Sequence, residues 1–257
     1  MRPYIGICDF TAPEQAHRLL QLIPHGFSHD LMVGVMMSYK TLNNLPTKWA
    51  RVFPAKKNIR SIFVDDPRVL NTIHYADYAT GVDADRQLAY TLAKVEIYGG
   101  ACLGAIQLDM IWPDPDELKK FREHCNIPII LQVGANAMRE CGDDPIATCE
   151  RLKTYGTTIN AVLFDKSMGR GVGMDAALLA KYAGVLSFDC PHLAPAVAGG
   201  LGPSSMDLVA PLIRAFPDLS IDAQGRLRKS GNMKDPIDWS MAEDYFTQAV
   251  ALFSKQP

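Results

Sequence analysis

Apolar, strand-like runs alternate with helical patterns along the whole sequence. The predicted strands are Tyr4–Phe10, Leu31–Met37, Ser61–Asp65, Leu103–Met110, Ile127–Val133, Ala161–Asp165, Ala194–Ala198 and Leu219–Ala223. The predicted helices are Pro13–Ile23, Leu45–Phe53, Asp85–Tyr98, Asp114–His124, Pro145–Tyr155, Asp175–Ala183, Ser205–Phe216 and Trp239–Phe253. Strict alternation is typical of parallel strands joined by outer helices, and the nearly continuous apolar character of the strands indicates burial on both faces.

The number of strand–helix units selects one architecture among the parallel folds. An open doubly wound sheet usually has five to seven strands, whereas eight units in about 250 residues are typical of a closed barrel. We therefore predict a (β/α)₈ TIM barrel with a parallel eight-stranded barrel and outer helices. Because no linker rich in Pro, Gly or Ser divides the chain, residues 1–257 are predicted to form a single domain.

The composition argues against several classes of protein. Lys and Arg number 26 against 28 Asp and Glu, so no positive excess favours binding to nucleic acid. Charged residues interrupt every apolar run well before the ~18 residues of a membrane span, and the first residues lead directly into a strand, so we expect no membrane segment and no signal peptide. The six cysteines contain no C-x-x-C pair, which favours reduced thiols and a cytoplasmic protein.

Polar residues close several of the predicted strands, where the active site of such a barrel lies. They are Cys8, Asp9, Ser38, Lys40, Asp65, Asp66, Gln107, Asp109, Gln132, Asp165, Asp222 and Gln224. The two-residue period of a strand places Cys8 on the face opposite Ile5 and Ile7, and so inside the barrel mouth. We expect several of these polar side chains to converge on one cavity.

Five segments resemble the phosphoribosylanthranilate isomerases of tryptophan biosynthesis, a family of ribulose-phosphate-binding barrels. Ile7-Cys8 is similar to the family's K-I-C-G, and Gln107-Leu108-Asp109 to its Q-L-H-G. The run from Asp165 to Gly173 is similar to D-S-x-x-x-G-G-T-G, and Ala198 to Pro203 to A-G-G-L-N-P. Gly231 followed by Lys234-Asp235 is similar to G-V-K-D. The likeness extends from the first strand to the last.

The resemblance implies an aldose–ketose isomerase that carries out an Amadori rearrangement on a phosphoribosyl amine without a cofactor. It implies Asp165 as the acid that protonates the ribose ring oxygen and Cys8 as the base that removes the C2 proton. The substrate would be a phosphorylated small molecule, and the protein a monomer or homodimer. Asn43 stands near the family's carboxylate-binding Arg, which leaves the remainder of the substrate undefined.

The residues themselves leave other roles open for the two candidate catalysts. A free Cys such as Cys8 is usually an inert core residue, and it acts as a base only if neighbouring donors or cations lower its pKa. Asp165 is of a type that often caps loops, but at the end of an apolar strand partial burial would raise its pKa and favour a proton donor.

Glycines after three strands predict a phosphate-binding edge. Gly171 and Gly173 follow the sixth strand, Gly199 and Gly200 the seventh, and Gly225 the eighth. Their backbone N–H groups can surround a phosphate at the usual position in these barrels, although a glycine-rich turn is also consistent with simple flexibility. We add Gln107 to this set as a substrate-binding residue.

A metal or lysine mechanism is the alternative to proton transfer alone. Asp65, Asp66, Asp109 and Asp222 either form a Mg²⁺ site, as in epimerase- or decarboxylase-like barrels, or serve as helix caps and ion-pair partners. Lys40 or Lys166 is the candidate amine of a lyase, with Lys166 expected to point outward. His25 and His29 flank Pro24 and Gly26, which break any helix between them, so we predict no histidine metal site. A catalytically silent barrel that binds a phosphorylated ligand is the third hypothesis.

Two segments exceed a minimal barrel. Residues 67–84 are expected after the third strand and residues 134–144 after the fifth, both on the catalytic face. Loops of this length usually bind or cover something. In the second of them, Arg139 is a candidate partner for a substrate carboxylate.

Overall fold

A computed structural model describes residues 1–78, 87–166 and 175–255. Eight parallel strands form a closed barrel in chain order: β1 Tyr4–Cys8, β2 Asp30–Ser38, β3 Val69–Ala76, β4 Ala105–Asp109, β5 Ile129–Gly134, β6 Ala161–Asp165, β7 Ala194–Ala198 and β8 Ser220–Ala223. The barrel closes where Gly6 of β1 pairs with Asp222 of β8. The predicted TIM-barrel architecture is confirmed.

The α-helices of the described residues surround this barrel. They are α1 Pro13–Leu20, α2 Tyr39–Leu42, α3 Leu88–Gly99, α4 Pro115–Arg122, α5 Ala135–Glu140, α6 Pro145–Lys153, α7 Ala176–Asp189, α8 Met206–Ala215 and α9 Trp239–Phe253. Several begin directly after an aspartate that caps the first turn. Asp114, Asp144 and Asp238 each accept a hydrogen bond from a backbone N–H of the first turn, and a proline follows directly after the first two.

Alternate residues of each strand face two different cores. Ile5 and Ile7 pack outward against the helices, whereas Tyr4 and Cys8 lie in a smaller cluster inside the barrel. The predicted inward direction of Cys8 is therefore confirmed. The inner cluster contains Met32, Ile130 and several alanines, and the same faces carry the polar strand-end residues at the carboxyl ends of the strands.

The predicted third strand is wrong, and so is the helix predicted over Leu45–Phe53. Ser61–Asp65 lies outside any strand, and β3 is Val69–Ala76. Val64 and its neighbours are buried as a strand would be, but the side-chain amide of Asn71 takes up both backbone polar groups of Val64, at 3.1 and 2.8 Å. Residues 45–53 form turns between α2 and a 3₁₀ helix at Lys56–Ser61.

These corrections change the two predicted insertions. Residues 67–84 are not an added loop, because most of their described part is β3 itself. Residues 134–144 contain α5 on the expected face. No helix in the described part of the chain combines the length and apolar character needed to cross a membrane.

Candidate active site

A cavity of about 900 Å³ opens at the carboxyl ends of the strands. Its floor is formed by strand-end side chains: Asp9, His74, Gln107, Asp109, Gln132, Asp165, Asp222 and Gln224. The predicted convergence of polar residues on one cavity is confirmed for most of the set. The surrounding wall includes Leu163, Met36 and Ala198, so that the charged groups lie in a partly apolar surrounding.

Cys8 lies just beneath this floor and is 1% exposed. Its thiol contacts Asp222, with Sγ 3.5 Å from Oδ2, and His74, with Sγ 3.4 Å from Nδ1. Burial, followed by the charge of Asp222, raises the pKa of the Cys8 thiol well above its ordinary value. The lowered pKa expected of a thiolate base is therefore not found, because the thiol is buried and carboxylates lie around it. The assignment of Cys8 as the base stays a prediction.

Asp222 occupies the position on β8 above this thiol and faces the cavity. Burial raises its pKa to about 6, and the charge of Asp165 adds to the rise, while His74 and the Cys8 thiol oppose it. Gly6 on the paired strand makes room for this carboxylate, because a Cβ at Gly6 would lie 2.8 Å from Asp222 Oδ1.

His74 is a floor residue that the sequence reasoning missed. It is 5% exposed, and its Nε2 lies 3.5 Å from Oδ2 of Asp109 on the neighbouring strand. Burial disfavours the imidazolium, but the carboxylates of Asp109, Asp222 and Asp9 together raise the pKa of His74. The hydroxyl of Tyr78 donates to the other oxygen of Asp109.

A line of side-chain amides joins His74 to Asp165 across the floor. Gln107 Nε2 lies 3.2 Å from His74 Nδ1 and 2.9 Å from Gln132 Oε1. Gln132 Nε2 in turn donates to Asp165 Oδ2 at 3.4 Å. We call these four residues the glutamine chain. The predicted site residues Gln107 and Asp165 are thus connected through Gln132.

The glycines after β7 and β8 line the cavity as predicted. Gly199 and Gly200 adopt φ values of +102° and +73°, a region that other residues rarely enter, and Gly225 follows β8. No hydrogen bond between described residues uses the backbone N–H groups of these three glycines. Next to them, Ser205 Oγ accepts from Gly202 N and fixes a short 3₁₀ helix at Pro203–Ser205. The predicted phosphate ligands Gly171 and Gly173 lie outside the described residues.

The segment after β2 forms an aromatic and cationic rim. Tyr39, Lys40, Lys48, Trp49 and Phe53 all line the cavity. The rings of Trp49 and Phe53 are nearly parallel, with centroids 5.7 Å apart, and Lys48 Nζ lies 5.1 Å from the Trp49 ring. Asn43 is exposed and donates to the Tyr39 carbonyl. Among the described residues, the cations on this side of the cavity are thus Lys40 and Lys48.

Three other predicted roles find no support in the geometry. Asp65 and Asp66 precede β3 and so lie at the opposite end of the barrel from Asp109 and Asp222, which excludes the four-residue Mg²⁺ site. No group of three or more potential metal ligands occurs among the described residues. Arg139 is exposed and donates to Asn136, and Lys166 is exposed as expected; neither lines the cavity, whereas Lys40 does.

Comparison with known proteins defines the fold and not the activity. No protein-family model matches the sequence, and no curated protein does. A phosphoribosylanthranilate isomerase from Thermotoga maritima, crystallised as monomers generated from a dimeric enzyme, is similar with a TM-score of 0.61 and 17% identity. That match covers 96% of this chain and 98% of the isomerase.

Barrels of other activities match nearly as well. The active domain 2 of a chitinase from Pyrococcus furiosus has a TM-score of 0.58 at 14% identity, over 98% of this chain and 94% of that one. The carboxyl transferase domain of Rhizobium etli pyruvate carboxylase has a TM-score of 0.56 at 11% identity. That match covers 97% of this chain and 47% of the carboxylase chain. Since one fold serves an isomerase, a glycosidase and a transferase, function must be argued from the cavity.

Proposed function

We propose that the protein is an isomerase that transfers protons on a phosphorylated, sugar-derived amine without a cofactor. The observation that carries the proposal is the arrangement of the cavity. Ionisable groups on β6 and β8 face it, and Gly199, Gly200 and Gly225 line it with backbone N–H groups that no hydrogen bond between described residues uses. A phosphate held by those N–H groups would place the attached sugar over Asp165 and Asp222.

Asp165 and Asp222 suit the two halves of an Amadori rearrangement. Protonation of the ribose ring oxygen by Asp165 breaks the C1–O bond, and the nitrogen lone pair forms a C1=N double bond. Removal of the C2 proton by Asp222 then forms a C1=C2 double bond and returns the electron pair to nitrogen. The resulting enol tautomerises to the ketone, so that the product is an isomer of the substrate and no group is lost.

The choice of base differs from the one that the resemblance implies. Asp222 lines the cavity, and with a pKa of about 6 it is a carboxylate at neutral pH. Cys8 stays a thiol beneath it and donates a hydrogen bond to it. The charge of Asp165 contributes to the raised pKa of Asp222, and two interacting carboxyls of this kind are an arrangement that supplies one proton donor and one acceptor.

A turnover assay tests the proposal directly. Purified protein is incubated with N-(5′-phosphoribosyl)anthranilate, whose loss of fluorescence reports isomerisation, and then with other phosphoribosyl amines. We expect turnover of at least one, loss of activity in Asp165→Asn, and full activity in Glu140→Gln, an exposed carboxylate on α5. Activity should persist in a chelator. Activity lost in chelator and restored by Mg²⁺ would instead support a metal-dependent lyase or epimerase.

The phosphate edge has its own test. Ribose 5-phosphate is expected to raise the melting temperature of the wild-type protein, because a ligand of the folded state stabilises it. Gly199→Ala should abolish this rise. The control is Gly142→Ala, which introduces a Cβ at another positive φ, +68°, in a loop away from the cavity. If ribose 5-phosphate still raises the melting temperature of Gly199→Ala, the glycines after β7 do not bind the phosphate.

A further inference from the structure

Two side chains behind the cavity wall each hold a backbone carbonyl in the loops of the phosphate edge. Arg228 Nη1 donates to the Gln224 carbonyl at 2.7 Å, in the loop after β8. Ser205 Oγ donates to the Gly200 carbonyl at 2.8 Å, in the loop after β7. Arg228 is 4% exposed and Ser205 is 1% exposed, and neither is among the described residues that line the cavity. Both carbonyls therefore point to groups that lie outside the cavity lining.

The direction of each carbonyl determines the direction of the next amide. A trans peptide unit is planar, so the C=O of one residue and the N–H of the following residue point to opposite sides. No cis peptide bond occurs among the described residues. The N–H of Gly225 is therefore turned away from Arg228, and the N–H of Leu201 is turned away from Ser205. Gly225 and Leu201 both line the cavity, and no hydrogen bond between described residues uses either N–H.

Several contacts fix the position of Arg228. Its guanidinium pairs with the buried carboxylate of Asp9 and donates to the Asp235 carbonyl at 2.6 Å. The Gln224 carbonyl accepts a second hydrogen bond, from Leu227 N at 3.2 Å. A cation on the oxygen side of a buried peptide unit polarises that unit, and hydrogen bonds in such a chain strengthen one another. The N–H on the other side of this peptide unit is therefore fixed in direction and improved as a donor.

Ser205 fixes the loop after β7 through its backbone. Its Oγ accepts from Gly202 N at 2.9 Å and lies 3.0 Å from Gly202 O, but the Gly200 carbonyl is the nearer acceptor for the single hydroxyl hydrogen. Gly202 in turn packs against the loop after β8, because a Cβ at this position would lie 3.0 Å from Arg226 O. The two loops are thus in contact, and their unused amides lie at one edge of the cavity.

We propose that Arg228 and Ser205 are positioning residues of a phosphate site, because they direct the N–H groups of Gly225 and Leu201 toward one bound phosphate group. Neither side chain touches the phosphate, and each acts through the peptide unit that it holds. The proposal rests on the proposed function, in which the substrate phosphate lies at this edge, and it assigns the donors within the edge. One of these donors belongs to a leucine, so the edge does not depend on glycines alone.

Binding of ribose 5-phosphate measures the contribution of each of the two side chains. Isothermal titration calorimetry is performed at a temperature at which circular dichroism shows each variant to be folded. We expect Ser205→Ala and Arg228→Met each to raise Kd by about tenfold or more, because a hydrogen bond to a charged group is lost or misdirected. An unchanged Kd in either folded variant would overturn the proposal.

Two control variants remove the same kinds of contact elsewhere. Ser61 Oγ donates to the Asn58 carbonyl at 2.7 Å, and the Arg122 guanidinium donates to two backbone carbonyls at the amino-terminal end of the barrel. Neither Ser61 nor Arg122 is among the described residues that line the cavity. Ser61→Ala and Arg122→Met should therefore leave Kd unchanged. An equal rise of Kd in the controls would mean that affinity follows general stability, and it would contradict the proposal.

Amide chemical shifts separate positioning from a general structural effect. In proton–nitrogen NMR spectra of the wild type, saturation with ribose 5-phosphate should move the amide protons of Leu201 and Gly225 downfield, because both donate to an anion. Ser205→Ala should diminish the shift of Leu201 and leave that of Gly225, and Arg228→Met should do the reverse. Loss of both shifts together in each variant would contradict the proposal. If Arg228→Met does not fold, the wild-type spectra still decide the matter, because unshifted amides would overturn it.

The same measurements distinguish this inference from the proposed function. If ribose 5-phosphate does not bind to the wild type, the phosphate edge and its two positioning residues are refuted together. If it binds with the expected shifts and no phosphoribosyl amine is turned over, only the proposed isomerase is refuted. If an active enzyme binds it without these shifts, only the assignment of Arg228 and Ser205 is refuted.

Discussion

Asp9 and Arg228 form an ion pair that is almost completely buried and that joins the first strand to the loop after the last. Arg228 Nη2 contacts Asp9 Oδ2, and the two side chains are 1% and 3% exposed. The same guanidinium donates to the carbonyls of Gln224, at 2.7 Å, and Asp235, at 2.6 Å. Asp9 itself has a φ of +74°, so a strained residue is held in place directly beside the cavity.

Loss of Arg228 should therefore destabilise the protein strongly. Arg228→Met leaves the buried Asp9 carboxylate without its cationic partner, with only Gln224 donating to it, which costs about 3–5 kcal/mol in the free energy of unfolding at neutral pH. Denaturant titration measures the change. Lys229→Met is the adjacent control, because its partner Asp238 is at the surface and the loss should be far smaller. Equal losses in the two variants would contradict a structural role for the buried pair.

Substitution of the two candidate bases should separate their roles. Asp222→Asn removes the carboxylate that faces the cavity, and we expect kcat to fall by about 10²–10⁴. Cys8→Ala removes a buried thiol that donates to Asp222, and a fall of less than about tenfold is expected. Steady-state kinetics on the best phosphoribosyl amine decide the matter. A fall in Cys8→Ala as large as that in Asp222→Asn would establish the thiol as the base.

The pH dependence of catalysis follows from the same carboxyl. Asp222 must be ionised to accept a proton, and its pKa is about 6. We expect kcat/KM to decline below pH 6, about tenfold for each further unit. A profile measured from pH 4.5 to 8 checks this. An acidic limb centred near pH 4 would mean that an ordinary exposed carboxyl, rather than Asp222, controls the rate.

Asp222 should also lower the stability of the folded protein at neutral pH. Its pKa rises from 3.8 to about 6 on burial, so the folded state binds the proton more tightly. The contribution of Asp222 to the free energy of unfolding is thus present below pH 3.8 and is lost as the pH rises through 6. Relative to wild type, Asp222→Asn should gain up to about 3 kcal/mol between pH 4 and pH 7. Denaturant titrations of both proteins at pH 4 and pH 7 test this. A difference in stability between the variant and the wild type that is the same at both pH values would refute it.

The overall fold follows from the sequence because its signals are local and repeated. The two-residue period of β1 was enough to predict that Cys8 points inward, and apolar runs such as β6 and β7 end where they were predicted to end. The Leu45–Phe53 segment was harder, because Trp49 and Phe53 line the cavity while Leu45 is exposed, so that its apolar residues do not form one buried helix face. The spacing of apolar residues in the sequence indicates which residues are buried. The backbone hydrogen bonds then decide whether a buried segment is a strand, a helix or a turn.

The candidate site was predicted less completely, and His74 shows why. The run Ile62-Phe63-Val64 is as apolar as a strand, but a side-chain amide from Asn71 satisfies its backbone. With the strand misplaced, His74 fell inside a supposed loop. The β-rich run from Val69 to Tyr75, directly after the turn-favouring Asp66-Pro67, was the available signal. The pKa of Cys8 could not be predicted from the sequence, because it depends on the burial of the thiol and on Asp222, a carboxylate more than 200 positions away in the chain.

The rim after β2 provides the protein with an optical reporter of its own. Trp49 is half-buried at the cavity edge, stacked on Phe53 and close to the ammonium of Lys48, while Trp112 is buried elsewhere beside Tyr155. An occupant of the cavity would change the solvent and quenching groups around this indole. Intrinsic fluorescence can therefore follow ligand entry in real time, with no label and no knowledge of the reaction, and Trp49→Phe identifies the part of the signal that comes from the rim.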